Sequence, residues 1–139
     1  MQKNDEAGFT LLSVLIAVMI IGVMTAIAVP RLSAMMTRAN TARIQSDLTT
    51  IDTSIALYQT EKGTNPKSLS DLTEYLQDAD KLKPPAGKCY MRGKADPQPV
   101  PEGTTYAIGE GTTKTGEVRA TCLEHTANDF VHDTTSQTN

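Results

Sequence analysis

Twenty-one consecutive residues near the start of the chain, Phe9 to Val29, carry no charge, and only Thr10, Ser13 and Thr25 among them have polar side chains. Coiled as a helix, such a block is about 31 Å long, the thickness of one hydrocarbon core. A surface this apolar must be covered by lipid or by other protein, and whatever else the chain builds must be arranged beyond it. Ahead of it stands MQKNDEAG, hydrophilic and short, with Lys3, Asp5 and Glu6, read as a leader over residues 1–8. The roughly 110 residues that follow the block suffice for one modest core.

After Pro30 the sequence has no Gly or Pro until Gly63 and is rich in Ala, Leu, Met, Arg and Gln. This predicts a helix continuing to Lys62, so that the whole run from Phe9 would be about 80 Å long. Ile44, Leu48, Ile51, Ile55 and Tyr58 recur at steps of four, three, four and three, an apolar stripe that needs a packing partner. Arg43, Asp47, Asp52 and Gln59 fall on the other face, and Gly63 is suited to ending the helix. A shorter helix is expected from Ser70, as N-cap, to about Lys81, with Leu69, Leu72 and Leu76 as its apolar strip. Pro84 and Pro85 stop it. Strands are expected at Cys89 to Met91, Thr104 to Ile108 and Val118 to Leu123. The fold class is therefore α+β: one long N-terminal helix, membrane-spanning over 9–29, packed by its second half on a small antiparallel sheet. The packed domain would cover 30–123 and a polar, loosely ordered tail 124–139.

Composition narrows the functional classes. The formal charge is -3, the isoelectric point is about 5.3 and Trp is absent, so the basic stripe and stacking aromatics of a nucleic-acid binder are missing. Mean hydropathy, -0.29, averages one very apolar block with a polar remainder. Cys89 and Cys122 are widely separated and belong to no CxxC pattern, which favours a single disulfide in an oxidising compartment over a zinc site. His125 and His132, near Glu124, Asp129 and Asp133, match no metal-ligand spacing. No nucleophile lies near either histidine in sequence, so neither catalysis nor a cofactor is expected.

Gly8-Phe9-Thr10-Leu11-Leu12, the apolar helix and Pro30 together resemble the N-terminal signal of type IV prepilins and type II secretion pseudopilins, over residues 8 to 62. The resemblance implies cleavage after Gly8 by a prepilin peptidase, N-methylation of Phe9, and a pilin-like domain held outside the cytoplasmic membrane. It implies as partners the lipid bilayer, an inner-membrane assembly platform and other pilin or pseudopilin subunits in a filament. Gly22 and Pro30 stand where the family places its helix-weakening residues, which implies an extendable zone between them. Physically, Pro30 removes a donor and crowds the carbonyl of Ala26, while Gly22 costs about 1 kcal/mol of helix stability. Major pseudopilins often hold calcium in an acidic C-terminal loop, but GEGTTKTGE supplies only Glu110 and Glu117. The fifth residue of the implied mature chain is Ser13, where most members carry glutamate. Serine cannot pair with a neighbour's N-terminal amine, and its hydroxyl is expected to bond back to the carbonyl of Phe9. A minor subunit that adds poorly to copies of itself is the expectation.

Two features pull elsewhere. Arg31, Arg38 and Arg43 follow the apolar block while Lys3 is nearly alone before it, opposite to the positive-inside preference. The peptidase motif and the cysteines outweigh this, leaving the arginines to meet acidic partners or phospholipid headgroups. Ala26-Ile27-Ala28 also fits an ordinary signal-peptidase site, which would release a soluble binding domain beginning at Val29. A plain single-pass anchor is the third reading. The mature N-terminus separates them: methylated Phe9, Val29 or Met1.

Overall fold

A computed structural model describes residues 10–109 and 117–132. One helix, α1, runs Leu11–Lys62 with Pro30 inside it. Thr10 opens it: the Ser13 amide lies 2.9 Å from the Thr10 carbonyl and 3.3 Å from its hydroxyl, an N-cap that satisfies an otherwise orphaned donor. The helix ends where the sequence places its end. Gly63 takes φ +69, open to glycine at no steric cost, and its N–H closes the last turn on Gln59 O at 2.9 Å.

The chain divides between Met35 and Met36 into two units. The first holds the apolar part of α1, whose large side chains are all exposed, from Leu11 at 87% to Ile16 at 48%. The second has a core of its own. Ile44, Leu48, Ile51 and Ile55 are buried as the stripe requires, joined by Leu72, Leu76, Cys89, Met91, Tyr106, Cys122 and Phe130. Tyr58 packs at its margin and meets the Tyr75 ring edge-on at 5.9 Å.

Flanking that stripe, α1 uses polar side chains as clamps. Asn40 Nδ2 donates to the carbonyls of Ala86 and Lys88 at 3.4 and 3.2 Å. Thr41 Oγ1 donates to Thr37 O and accepts the Tyr90 N–H, both at 2.8 Å. Asp47 accepts the Tyr106 hydroxyl at 2.7 Å, and that bond together with burial pushes the Tyr106 pKa far above its ordinary range. Asp52 accepts the Ala120 N–H at 2.7 Å and the Arg119 guanidinium at 2.9 and 3.2 Å. Among the described residues no buried side-chain nitrogen or oxygen lacks a partner. Asp47 and Asp52, off the apolar stripe, fasten the domain.

Between helix and sheets, the structure replaces the expected helix from Ser70 to Lys81 by two 3-10 turns, Leu69–Leu72 and Ala79–Lys81. Ser68, not Ser70, is the cap. Asp71 Oδ2 gathers the amides of Lys67 and Ser68 at 2.9 and 3.1 Å, which holds its pKa below the usual carboxylate range, and Asp78 at φ 58 interrupts any continuing helix. Leu72 and Leu76 still reach the core.

Among the described residues, four strands form two antiparallel pairs rather than one sheet. β1, Gly87–Cys89, pairs with β2, Gln98–Val100; β3, Ala107–Gly109, pairs with β4, Arg119–Thr121. The sequence reading placed strands near β1, β3 and β4 but passed over β2, because Pro97, Pro99 and Pro101 argue against a ladder. Of the expected tail, 133–139 lie outside the described residues, and 124–132 are ordered. Cys122 and His125 exchange both backbone bonds at 2.9 Å around a tight turn, Thr126 and Asp129 cap the 3-10 turn Ala127–Asp129, and Phe130 is fully buried. The apolar Phe130, not the polar average of its neighbours, decides that the chain packs through residue 132.

Candidate assembly site

Gly8 and Phe9, the expected processing residues, lie outside the described residues. The site begins at Thr10, whose hydroxyl lies 2.8 Å from that of Ser13. The carbonyl of Phe9, to which Ser13 was expected to bond, lies outside the described residues; within them Ser13 pairs with Thr10. The T-x-x-S spacing was the signal for this pairing, since capping side chains meet three residues on. Both hydroxyls are thereby occupied, and Thr25 donates to Ile21 O at 2.8 Å, so these polar groups do not burden a lipid-facing helix.

Gly22 has open space around it: a methyl group there would meet nothing within 4 Å. Internal packing therefore does not demand glycine. Pro30 is carried within α1, yet its ring leaves the carbonyl of Ala26 without the usual backbone donor. Beyond it the helix is cationic. Arg31 and Arg38 are exposed, Arg43 Nε is 3.9 Å from Asp47, and no acidic residue occurs from 10 to 46.

Cys89 and Cys122 are both buried in the core and stand unbridged in the structure. Burial raises both pKa values, that of Cys122 to about 11 with the nearby Cys89 adding to the effect. Protonated thiols of this kind pack as small hydrophobes. His125 Nδ1 lies 3.6 Å from Asp129 and its ring packs near Phe130, while His132 stacks edge-on with Tyr90 at 4.2 Å. Among the described residues no group of three potential ligands gathers to hold a metal. Glu110 lies outside them, and Glu117 sits 4.0 Å from Arg119. What the arrangement offers is a bare apolar helix and a head fastened to the continuation of that helix by polar clamps.

Comparison with known proteins agrees with that character. A family model described as a prokaryotic N-terminal methylation motif matches residues 3–29. The chain is similar to the type II secretion system core protein G of Aeromonas hydrophila, 30% identical over 86 residues, which is 62% of this chain and 57% of that protein. It is 28% identical over 106 residues to the core protein G of Escherichia coli (strain K12), covering 76% of this chain and 72% of that one. The match thus spans little more than half of the Aeromonas protein. No solved structure matches the chain. A methylation motif thus heads an uncovered apolar helix, and the chain that carries it is similar to type II secretion system core protein G.

Proposed function

We propose that the chain is a structural subunit of a pseudopilus of the type II secretion kind, anchored by its first helix and assembled through it. The single observation that carries this reading is the helix surface from Leu11 to Val29, uncharged and exposed on every side. At about 25 cal/mol per Å² such a surface is not left to water. Lipid covers it in the stored subunit, and neighbouring helices cover it in the filament. Cleavage follows Gly8, Phe9 becomes the methylated N-terminus, and the head from Met36 onward lies outside the cytoplasmic membrane. The partners are the peptidase, the inner-membrane assembly platform and other pseudopilins. Gly22 and Pro30 bound the stretch that loosens on leaving lipid. Ser13, already engaged with Thr10, gives this subunit no carboxylate with which to attract a neighbour's amine, which suits a minor position.

Mass spectrometry of the mature chain tests the reading. The expected N-terminus is methylated Phe9, and Gly8→Val blocks its appearance because the peptidase loses a cut site without a side chain. A mature chain beginning at Val29, or normal processing of the variant, refutes it.

A further inference from the structure

β2 is an outer strand with an unusual edge. On one side β1 lies between it and α1, held by Asn40 and Thr41 through Ala86, Lys88 and Tyr90. The register pairs Gly87 with Val100, Lys88 with Pro99 and Cys89 with Gln98. Pro99 has no N–H, so the ladder bonds are exchanged at the Val100 and Gln98 positions, and the backbone at Pro97, Pro99 and Pro101 turns to the open side. That edge carries carbonyls and not one amide donor. Thr104 takes the Pro101 carbonyl, with its hydroxyl at 2.8 Å, while no described group takes those of Pro97 and Pro99. Asp96 and Glu102 flank the strand, both exposed and neither side chain in an ion pair or hydrogen bond among the described residues.

An edge that only accepts, set between two carboxylates, cannot pair with another strand, which needs donors as well as acceptors. It fits a cation rich in N–H groups, and a guanidinium is the side chain with five of them. This chain supplies one. Residues 10 to 46 contain three arginines and no acid, whereas residues 47 to 139 contain 14 acidic against nine Lys and Arg residues. Arg38 is exposed and has no partner among the described residues. We propose that the edge from Asp96 to Glu102 receives Arg38 of a second copy of this chain. The two surfaces differ, so the contact is heterologous and a pair keeps one half free on each copy. The proposal rests on the filament reading above.

Charge reversal in the full-length chain tests it, with filament yield measured against the amount of subunit in the membrane. Asp96→Arg with Glu102→Arg, or Arg38→Glu alone, is expected to lower the yield about ten-fold, and the two sets combined to recover it to within about two-fold. Unchanged yield in either single-surface variant, or no recovery in the combination, overturns the contact. A defect of Arg38→Glu that follows the anionic lipid content and is not recovered assigns Arg38 to headgroups and overturns it as well. The filament reading itself stands or falls on the mature N-terminus, so an unmodified chain that makes no filament alone leaves the contact to a second assay. Copy-to-copy crosslinking in phosphatidylcholine vesicles then decides the contact by the same reversal and recovery, and absence of that pattern overturns it.

Discussion

Asp52→Ala is the substitution that most directly probes how the head is fastened to its helix. One carboxylate holds β4 twice: Oδ1 accepts the Ala120 N–H at 2.7 Å, and Oδ2 accepts the Arg119 guanidinium. Ala120 is fully buried, so its amide has no water to replace the lost acceptor. A backbone bond to a charged group, with its donor then stranded, is worth about 1.5–3 kcal/mol. The Arg119 pair is partly exposed, with side chains 32% and 15% accessible, and adds only about 1 kcal/mol after screening. Alanine is therefore expected to cost about 3 kcal/mol. Asp52→Asn keeps an oxygen for Ala120 and gives up only the charge, which should cost about 1 kcal/mol. Urea unfolding of the full-length protein in detergent, followed by far-ultraviolet circular dichroism, measures both. An alanine variant as stable as the parent, or an asparagine variant as damaged as the alanine one, would refute the clamp.

Other substitutions address separate parts of the molecule. Ser13→Glu should raise the number of copies per filament, since it restores a carboxylate for a neighbour's amine; subunit counting on isolated filaments checks it, and long homogeneous filaments of the unmodified chain would remove the minor-subunit idea. Phe130→Ala should cost about 3–5 kcal/mol in the same urea titration, because it empties a fully buried aromatic site. The thiols carry a pH signature: the folded Cys122 value stands at about 11 against an ordinary 9.0, so the fold favours the protonated form. Its contribution is complete below pH 9 and fades as the pH rises toward 11. As thiols they should lower the urea midpoint from about pH 9 to 10 with or without reductant; a midpoint that stays level until reductant is added shows a bridged pair in the isolated protein.

Replacing the turn between Cys122 and His125 isolates a different source of energy. Leu123 and Glu124 adopt φ 50 and 66, values that suit Asn-Gly in a two-residue hairpin. Leu123→Asn with Glu124→Gly should therefore stabilise the head by about 1 kcal/mol, unless the half-buried Leu123 side chain returns more through its core contacts. Thermal unfolding of the pair and of each single variant separates the two effects: a stabilising Glu124→Gly beside a destabilising Leu123→Asn identifies Leu123 as a core residue bearing a strained backbone.

How much of this was readable in advance depended on the range of the interaction involved. The helix was legible because its signals are local and repeated: an uncharged run, a stripe at helical steps, and Gly63 at the end. The resemblance at Gly8 and Phe9 rests on the same few residues. The head was only half legible, since its strands are three residues long and their ladders are set by distant partners. β2 hid behind three prolines that forbid a central strand and permit an edge, a distinction invisible until the neighbour on one side only is known. Asp47 and Asp52 read only as residues off the apolar stripe, because periodicity says which face is apolar, not which polar residues stand at its border. There a carboxylate can reach over the core's rim to a backbone amide. Phe130 taught the converse: one large apolar residue in a polar stretch outweighs its neighbours, because burying it returns about 2–3 kcal/mol while exposed threonines and asparagines cost the fold little. Polar residues at the rim of an apolar stripe and lone aromatics in polar segments are thus the positions where tertiary contacts override the local pattern, and in this chain those contacts bind the head to α1.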